Sequence, residues 1–279
     1  MMSTFLFSVD LEEFYAADPA RVFRCTPLPE LAEIYLAFLR ARAMKATFFV
    51  VGEAALKFPA TVREIAAEGH ELGCHTHTHR PLDEHTPASL RDDLSRNLDA
   101  LRDAGARDVK GFRAPILSMT EKTQWAYEVL AGLGFQYSSS VLPARNPLHG
   151  WPGFTNNPRR VAGMLELPVT LARFGPFEVP VGAGTYFRCL PYGFIKRRFD
   201  AFARSGAPVL GYFHPYDVDT RQEHVLHRGV RGNRFLNALL YVNRSGTVER
   251  LESLAASGFK IMTYAEYLSH LPEGALPCL

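Results

Sequence analysis

An α/β fold with parallel strands is what the sequence predicts, from two observations. Short β-rich apolar runs alternate with stretches of helical periodicity along the whole chain, and several of the helical stretches close at a glycine. Such alternation means strands joined by crossover helices, arranged either as an open doubly wound sheet or as a barrel of the TIM kind. In both arrangements ligands bind where the strands end. The chain has 279 residues, 47% of them hydrophobic and 22% charged, so it carries the apolar surface for one large core. Barrels use such a length as a single unit, and the expectation is one domain over 1–279.

The elements follow in order. TFLFSV (4–9) is a buried strand that runs into acidic residues, and LPELAEIYLAFLRARAM (28–44) is a helix with Leu31, Ile34, Tyr35, Phe38 and Leu39 on one face. ATFFVVG (46–52) reads as a second buried strand. Helix 54–68 closes at Gly69, strand 70–74 follows, helix 87–104 closes at Gly105, strand 109–113 follows, and helix 120–133 closes at Gly134. Weaker strands lie at 135–139, 164–168 and 208–213, with helices at 192–205 and 246–257 and a last strand at 259–262. The stretch 143–191 is rich in Pro, Gly and Asn and is expected to form long loops, with a hairpin over the site.

Composition excludes several classes. A net charge of +2 offers no electrostatic footprint for nucleic acid. Cys25, Cys74, Cys189 and Cys278 lie far apart, forming neither a zinc knuckle nor a disulfide framework, which suits a reducing compartment. No run reaches the roughly 18 apolar residues of a membrane span. MMSTFLFSVDLEE lacks a basic leader region and meets Asp10, Glu12 and Glu13 too soon for a secretory signal, so the expected location is the cytoplasm. The sequence carries no signal for an oligomeric state.

The chemistry concentrates at strand ends. His75, His77 and His79 follow strand 70–74 directly. Fully extended, residues four apart would stand about 13 Å from each other, whereas one helical turn brings them within about 5–6 Å. In that turn His75 and His79 share a side and His77 points away. Neutral imidazoles suit zinc and its neighbours, and a carboxylate is the natural third ligand. Asp10 and Glu12 share a side of the first strand under period-two alternation, while Glu13 faces elsewhere. Of two such acids, one can bind a metal and the other accept a proton from the attacking water. Arg113, in GFRAPI (111–116), can orient a carboxylate, and His214, in LGYFHPYDVD (210–219), can protonate a leaving amine. Taken singly, each residue has a bland reading as a surface histidine, a helix cap or a salt bridge. Their joint position at strand ends is what points to a metal site.

These residues resemble one family, the NodB-homology polysaccharide deacetylases, the fourth carbohydrate esterase family. ATFFVVGEAALKFPATVREIAAEGHELGCHTHTHRPL is similar to the stretch from its second strand through its HxxxH motif, FRAP to its arginine–proline motif, GFQYSSSVLP to its fourth motif and LGYFHP to its final histidine motif. The branch with DxE and an HPxxxD ending, here HPYDVD, is nearest. The resemblance implies a distorted (β/α)7-type barrel. It implies Asp10 as general base, His75 and His79 as metal ligands with Glu12 as the third, Arg113 as the residue orienting the base, His214 as general acid and the Ile116 N–H as oxyanion donor.

The metal implied is divalent, zinc first, with Co2+, Ni2+ or Fe2+ as alternatives. The activity implied is removal of an N-acetyl or similar acyl group from an amino sugar, in a polysaccharide or its lipid- or nucleotide-linked precursor. The alternatives are hydrolysis of a cyclic amide or ureide, or weak glycan binding through aromatics such as Trp151, Phe154, Tyr186 and Phe187. Three departures stand out: DLEE replaces the family's paired aspartates, Ile116 stands for a tyrosine, and Ser138 stands for the aspartate that would tune His214.

Overall fold

The computed structural model describes residues 3–146 and 149–271; Cys278 lies outside them. The first strand, β1 (Ser3–Leu11), is the axis of the sheet. Phe5, Phe7 and Val9 pack outward beneath Leu31, Tyr35, Phe38 and Leu39 of α1 (Leu28–Ala41), while Leu6 packs inward. Parallel to β1 run β2 (Thr47–Val50), β3 (Glu71–Cys74), β4 (Gly111–Phe112) and β5 (Tyr137–Ser138). The crossovers carry α2 (Gly52–Lys57), α3 (Pro59–Ala67), α4 (Pro87–Asp103) and α5 (Ala126–Gly132).

The second half of the chain completes the same sheet. A hairpin of β6 (Arg159–Val161) and β7 (Met164–Glu166) adds β7 parallel to β5 and leaves β6 antiparallel at the edge. A separate hairpin, β8 (Leu171–Phe174) and β9 (Phe177–Pro180), precedes α6 (Gly184–Cys189), α7 (Tyr192–Ser205) and β10 (Val209–Phe213). After α8 (Arg234–Leu239) and α9 (Thr247–Ala256), β11 (Phe259–Met262) leads into α10 (Tyr264–Ser269). The order is β10-β1-β2-β3-β4-β5-β7-β6, with β11 beside the N-terminal half of β1 and β2 beside its C-terminal half.

The choice between an open sheet and a barrel is decided by the interior. Leu6, Phe49, Tyr137, Leu165 and Leu210, from five different strands, form one buried cluster, so the sheet wraps around its own side chains. Among the described residues no ladder joins β7 to β10, and the gap is spanned by Leu210 N–H donating to Thr170 Oγ1 at 2.8 Å. No described helix is long and apolar enough to cross a membrane.

Four sequence expectations change. The helix expected over 54–68 is two helices, because Pro59 cannot continue α2 and instead starts α3 at its first turn. The helix expected over 120–133 is a 3-10 turn, Glu121–Thr123, followed by α5. The 143–191 stretch is more ordered than loops, holding two hairpins and α6. Helices α8 and α10 were not expected at all, being short and poorly periodic.

Asn97, fully buried on α4, donates through Nδ2 to the carbonyls of Val50 (2.9 Å) and Thr76 (2.5 Å), tying the end of β2 and the segment after β3 to one helix. Asn97→Leu removes both bonds and is expected to lower stability by about 1–2 kcal/mol, read as a lower midpoint in urea unfolding. An unchanged midpoint would show that this tie contributes nothing.

Candidate metal and catalytic centre

The ends of β1, β3, β4 and β10 meet on one rim, and the sequence-predicted residues arrive there together. Leu6 faces the interior, so Asp10, four residues on, shares its side by alternation, and Glu12 follows past the strand end. Both acids are buried, at 3% exposure. Glu13 is exposed and pairs with Lys57 Nζ at 2.8 Å, away from the rim.

Glu12, His75 and His79 each offer a ligand atom within 4.8 Å of the others, and all three are buried. Glu12 Oε2 lies 2.5 Å from His79 Nε2 and 3.8 Å from His75 Nε2. The histidines are not brought together by a helical turn, as spacing suggests. The segment is irregular, with left-handed backbone at Thr76 (φ 61°) and His79 (φ 52°). A β-branched residue there is strained and must be held by its surroundings. Asp93 of α4 does so, accepting from His77 N–H at 2.5 Å and Thr78 Oγ1 at 2.6 Å. His77 points away, its Nδ1 buried without a partner.

The donor set fits a divalent metal. His75 Nδ1 lies 2.8 Å from the Arg113 carbonyl, a contact that fixes the tautomer and turns the Nε2 lone pair toward Glu12. Burial presses the His75 pKa down to about 4, so the ring is neutral at pH 7. Burial opposes ionisation of Glu12, yet the facing His79, His214 and His75 hold its carboxyl at about 2. Glu12 Oε2 is buried and faces the two histidine nitrogens, three atoms that one shared cation would satisfy together. His79 is oriented by Tyr15, stacked on its ring at 4.8 Å, and by Arg228, which donates to the His79 carbonyl at 3.0 Å.

Arg113 is 1% exposed, and its donors are spent on the rim. Nη1 donates to Asp10 Oδ1 (2.7 Å) and Ser8 Oγ (2.6 Å), Nε to the Ser139 carbonyl (2.9 Å), and Nη2 to Ser139 Oγ (3.0 Å) and Tyr264 Oη (2.9 Å). Asp10 Oδ2 then faces His75 Nε2 at 3.8 Å and His214 Nε2 at 4.0 Å. His214 Nε2 is also 3.8 Å from Glu12 Oε1.

Sequence reasoning missed the partner of His214. Ser138 does not take the role of an aspartate there: its hydroxyl donates to Ser140 Oγ, which accepts from Ala114 N–H and so braces the chain before Ile116. The partner is Asp217, whose Oδ2 accepts from the His214 N–H at 2.9 Å and lies 3.4 Å from Nδ1. Although buried, Asp217 is held well below the usual carboxylate range by Arg188 and His214, and it raises the His214 pKa against the effect of burial. Arg188, also buried, donates to Asp217 Oδ1 from Nε (3.1 Å) and Nη2 (2.8 Å). A Cβ on Gly184 would meet Asp217 Oδ2 at 2.1 Å, which is why α6 begins on glycine. HPYD offered the signal, an acid three residues after the histidine.

Ile116 sits after Pro115 in left-handed backbone (φ 54°, ψ 25°), an unusual state for isoleucine, and lines the same cavity as Asp10, Glu12, His75, His79 and His214. Of the aromatics considered for sugar stacking, Tyr186 lines the cavity. Trp151 and Phe154 pack on the α4–α5 core, and Phe187 is buried beside β10.

Residues 23–137 match the family model described as Polysaccharide deacetylase, and residues 139–269 match a Domain of unknown function (DUF3473). The likeness to the polysaccharide deacetylase family is thus established for residues 23–137, and residues 139–269 match a domain whose function is not described. It is 34% identical over 113 residues to the peptidoglycan-N-acetylglucosamine deacetylase of Bacillus cereus, covering 40% of this chain and 41% of that protein. It is 33% identical over 106 residues to the chitooligosaccharide deacetylase of a Bradyrhizobium species, covering 38% of this chain and 46% of that protein. The matched stretch thus spans less than half the length of either relative. A solved structure from Mycobacterium smegmatis, a candidate polysaccharide deacetylase, superposes with TM-score 0.60 over 89% of this chain and 79% of that one. At 20% identity this is a likeness of fold.

Elemental analysis separates the two glutamates. Glu12→Gln and His79→Ala are expected to lose bound divalent metal, with affinity falling at least about tenfold, while Glu13→Gln retains it. The reverse pattern for the glutamates would move the third ligand to Glu13.

Proposed function

We propose that the chain is a metal-dependent hydrolase that removes an N-acetyl or similar acyl group from an amino sugar, working over 1–279 as one domain. The observation that carries the reading is that Asp10 Oδ2 lies 3.8 Å from His75 Nε2 and His214 Nε2 lies 3.8 Å from Glu12 Oε1, with the two proton-handling groups 4.0 Å from each other. The names of the two relatives, both deacetylases of acetylamino sugars, support the substrate class. A polysaccharide or its lipid- or nucleotide-linked precursor is the proposed carrier.

A divalent ion, zinc in this proposal, would supply Lewis acidity toward the amide carbonyl and make a nearby water more acidic. The rest is done by the chain. Asp10, with Oδ1 held by Arg113, keeps Oδ2 turned to the cavity and takes the proton of the attacking water. The Ile116 N–H receives the carbonyl oxygen as negative charge develops on it. His214, whose hold on a proton is strengthened by Asp217 against the effect of burial, gives its Nε2 proton to the departing amine.

Acetate release from acetamido sugars, free and lipid- or nucleotide-linked, tests the reading beside ring-opening of ureides. Asp10→Asn is expected to cut kcat by about 10²–10⁴-fold with metal content unchanged. Retained activity would remove Asp10 from the role of base, and ring-opening alone would reassign the substrate.

A further inference from the structure

The cavity of about 220 Å³ that contains Glu12, His75 and His79 is lined by two unlike kinds of side chain. One kind is the carboxylates and histidines of the rim. The rest of the lining is mostly apolar, with Ile116, Leu117 and Leu142 and, from the segment after β10, Val230, Leu236 and Leu239, interrupted by polar groups such as Asn146, His149 and His227. Sugar hydroxyls taken from water need hydrogen-bond partners, and the aliphatic side chains offer none. This apolar wall is therefore poorly matched to a second sugar ring and well matched to a hydrocarbon.

Its position says which part of the substrate it meets. The Ile116 N–H is the proposed receiver of the carbonyl oxygen, so the acyl group begins beside Ile116 and Leu117. An acetyl group ends there after one methyl, but the apolar lining continues to α8. That far wall is fixed in place. Arg188 donates to the carbonyls of Leu239 (3.1 Å) and Leu240 (2.8 Å) with the same guanidinium that holds Asp217. Gly229 brings the same segment over Ile116, where a Cβ would lie 4.0 Å from Ile116 Cδ1.

We propose that this wall binds an aliphatic acyl chain longer than acetyl on the scissile amide, so that the preferred substrate is a medium-chain N-acyl amino sugar. This rests on the N-acyl amino-sugar hydrolase reading above.

The test measures free-amine release by the metal-loaded full chain from N-acetyl-, N-butyryl-, N-hexanoyl- and N-octanoylglucosamine, alongside octyl N-acetylglucosaminide. Each methylene that reaches the wall is expected to raise kcat/KM by about threefold to fourfold, giving at least about a tenfold preference over acetyl for one of the longer chains. Leu236 is half-buried, so Leu236→Asp should fold, and it is expected to collapse that preference toward unity. Leu239→Ser provides an independent check with the same expected loss. Turnover of N-acetylglucosamine with no gain for longer acyl chains would overturn the inference while leaving the hydrolase reading intact. A gain with the octyl glycoside but not with longer acyl groups would also overturn it, assigning the wall to the aglycone. No amine release from any member of the series would overturn the hydrolase reading itself.

Discussion

The rim is organised around the buried guanidinium of Arg113. A charge taken out of water is costly unless paired and fully hydrogen-bonded, and Arg113 meets both conditions. Its side chain reaches Asp10 and Ser8 of β1, Ser139 after β5 and Tyr264 at the start of α10, and stacks over Phe49 of β2 at 4.2 Å. Its carbonyl faces His75, just past β3. One residue thus locks five segments in register, and the orientation of both the acid and the first histidine follows from it. Removing it would leave Asp10 as an uncompensated buried charge.

A second buried pair, Arg188 with Asp217, repeats the device beneath His214. The two pairs divide the titratable groups. Asp10 is held by one guanidinium, the other holds Asp217, which raises the His214 pKa, and beside them burial keeps His75 neutral while the facing histidines keep Glu12 ionised. Neutral imidazoles and an ionised carboxylate are the protonation states that a divalent cation requires. The electrostatics of these side chains therefore suit such an ion.

Much of this was legible in the sequence because it rests on periodicity. The period-two alternation of β1 separates Phe5, Phe7 and Val9 from Leu6 and Asp10, and strand–helix alternation puts His75, Arg113 and His214 at one end. What escaped rests on contacts between distant segments. Asp93 and Asn97 hold residues 76–79 on a path with left-handed backbone at Thr76 and His79, which no local propensity favours. Ser139 and Ser140 look like filler in SSS, yet one serves Arg113 and the other Ala114. Asp217 was hidden in HPYDVD because attention to Ser138 implied a partner from another strand, whereas the partner comes from the histidine's own loop. Helices α8 and α10 are too short for periodicity to signal, although they supply Leu239 and Tyr264.

The central claim is that Glu12, His75 and His79 hold one divalent ion in common. X-ray absorption at the zinc edge of the metal-loaded protein tests it most directly. The account predicts two imidazole nitrogens and at least one carboxylate oxygen in the first shell, at about 2.0–2.2 Å. A shell without imidazole scattering, or one containing sulfur at about 2.3 Å, would contradict it.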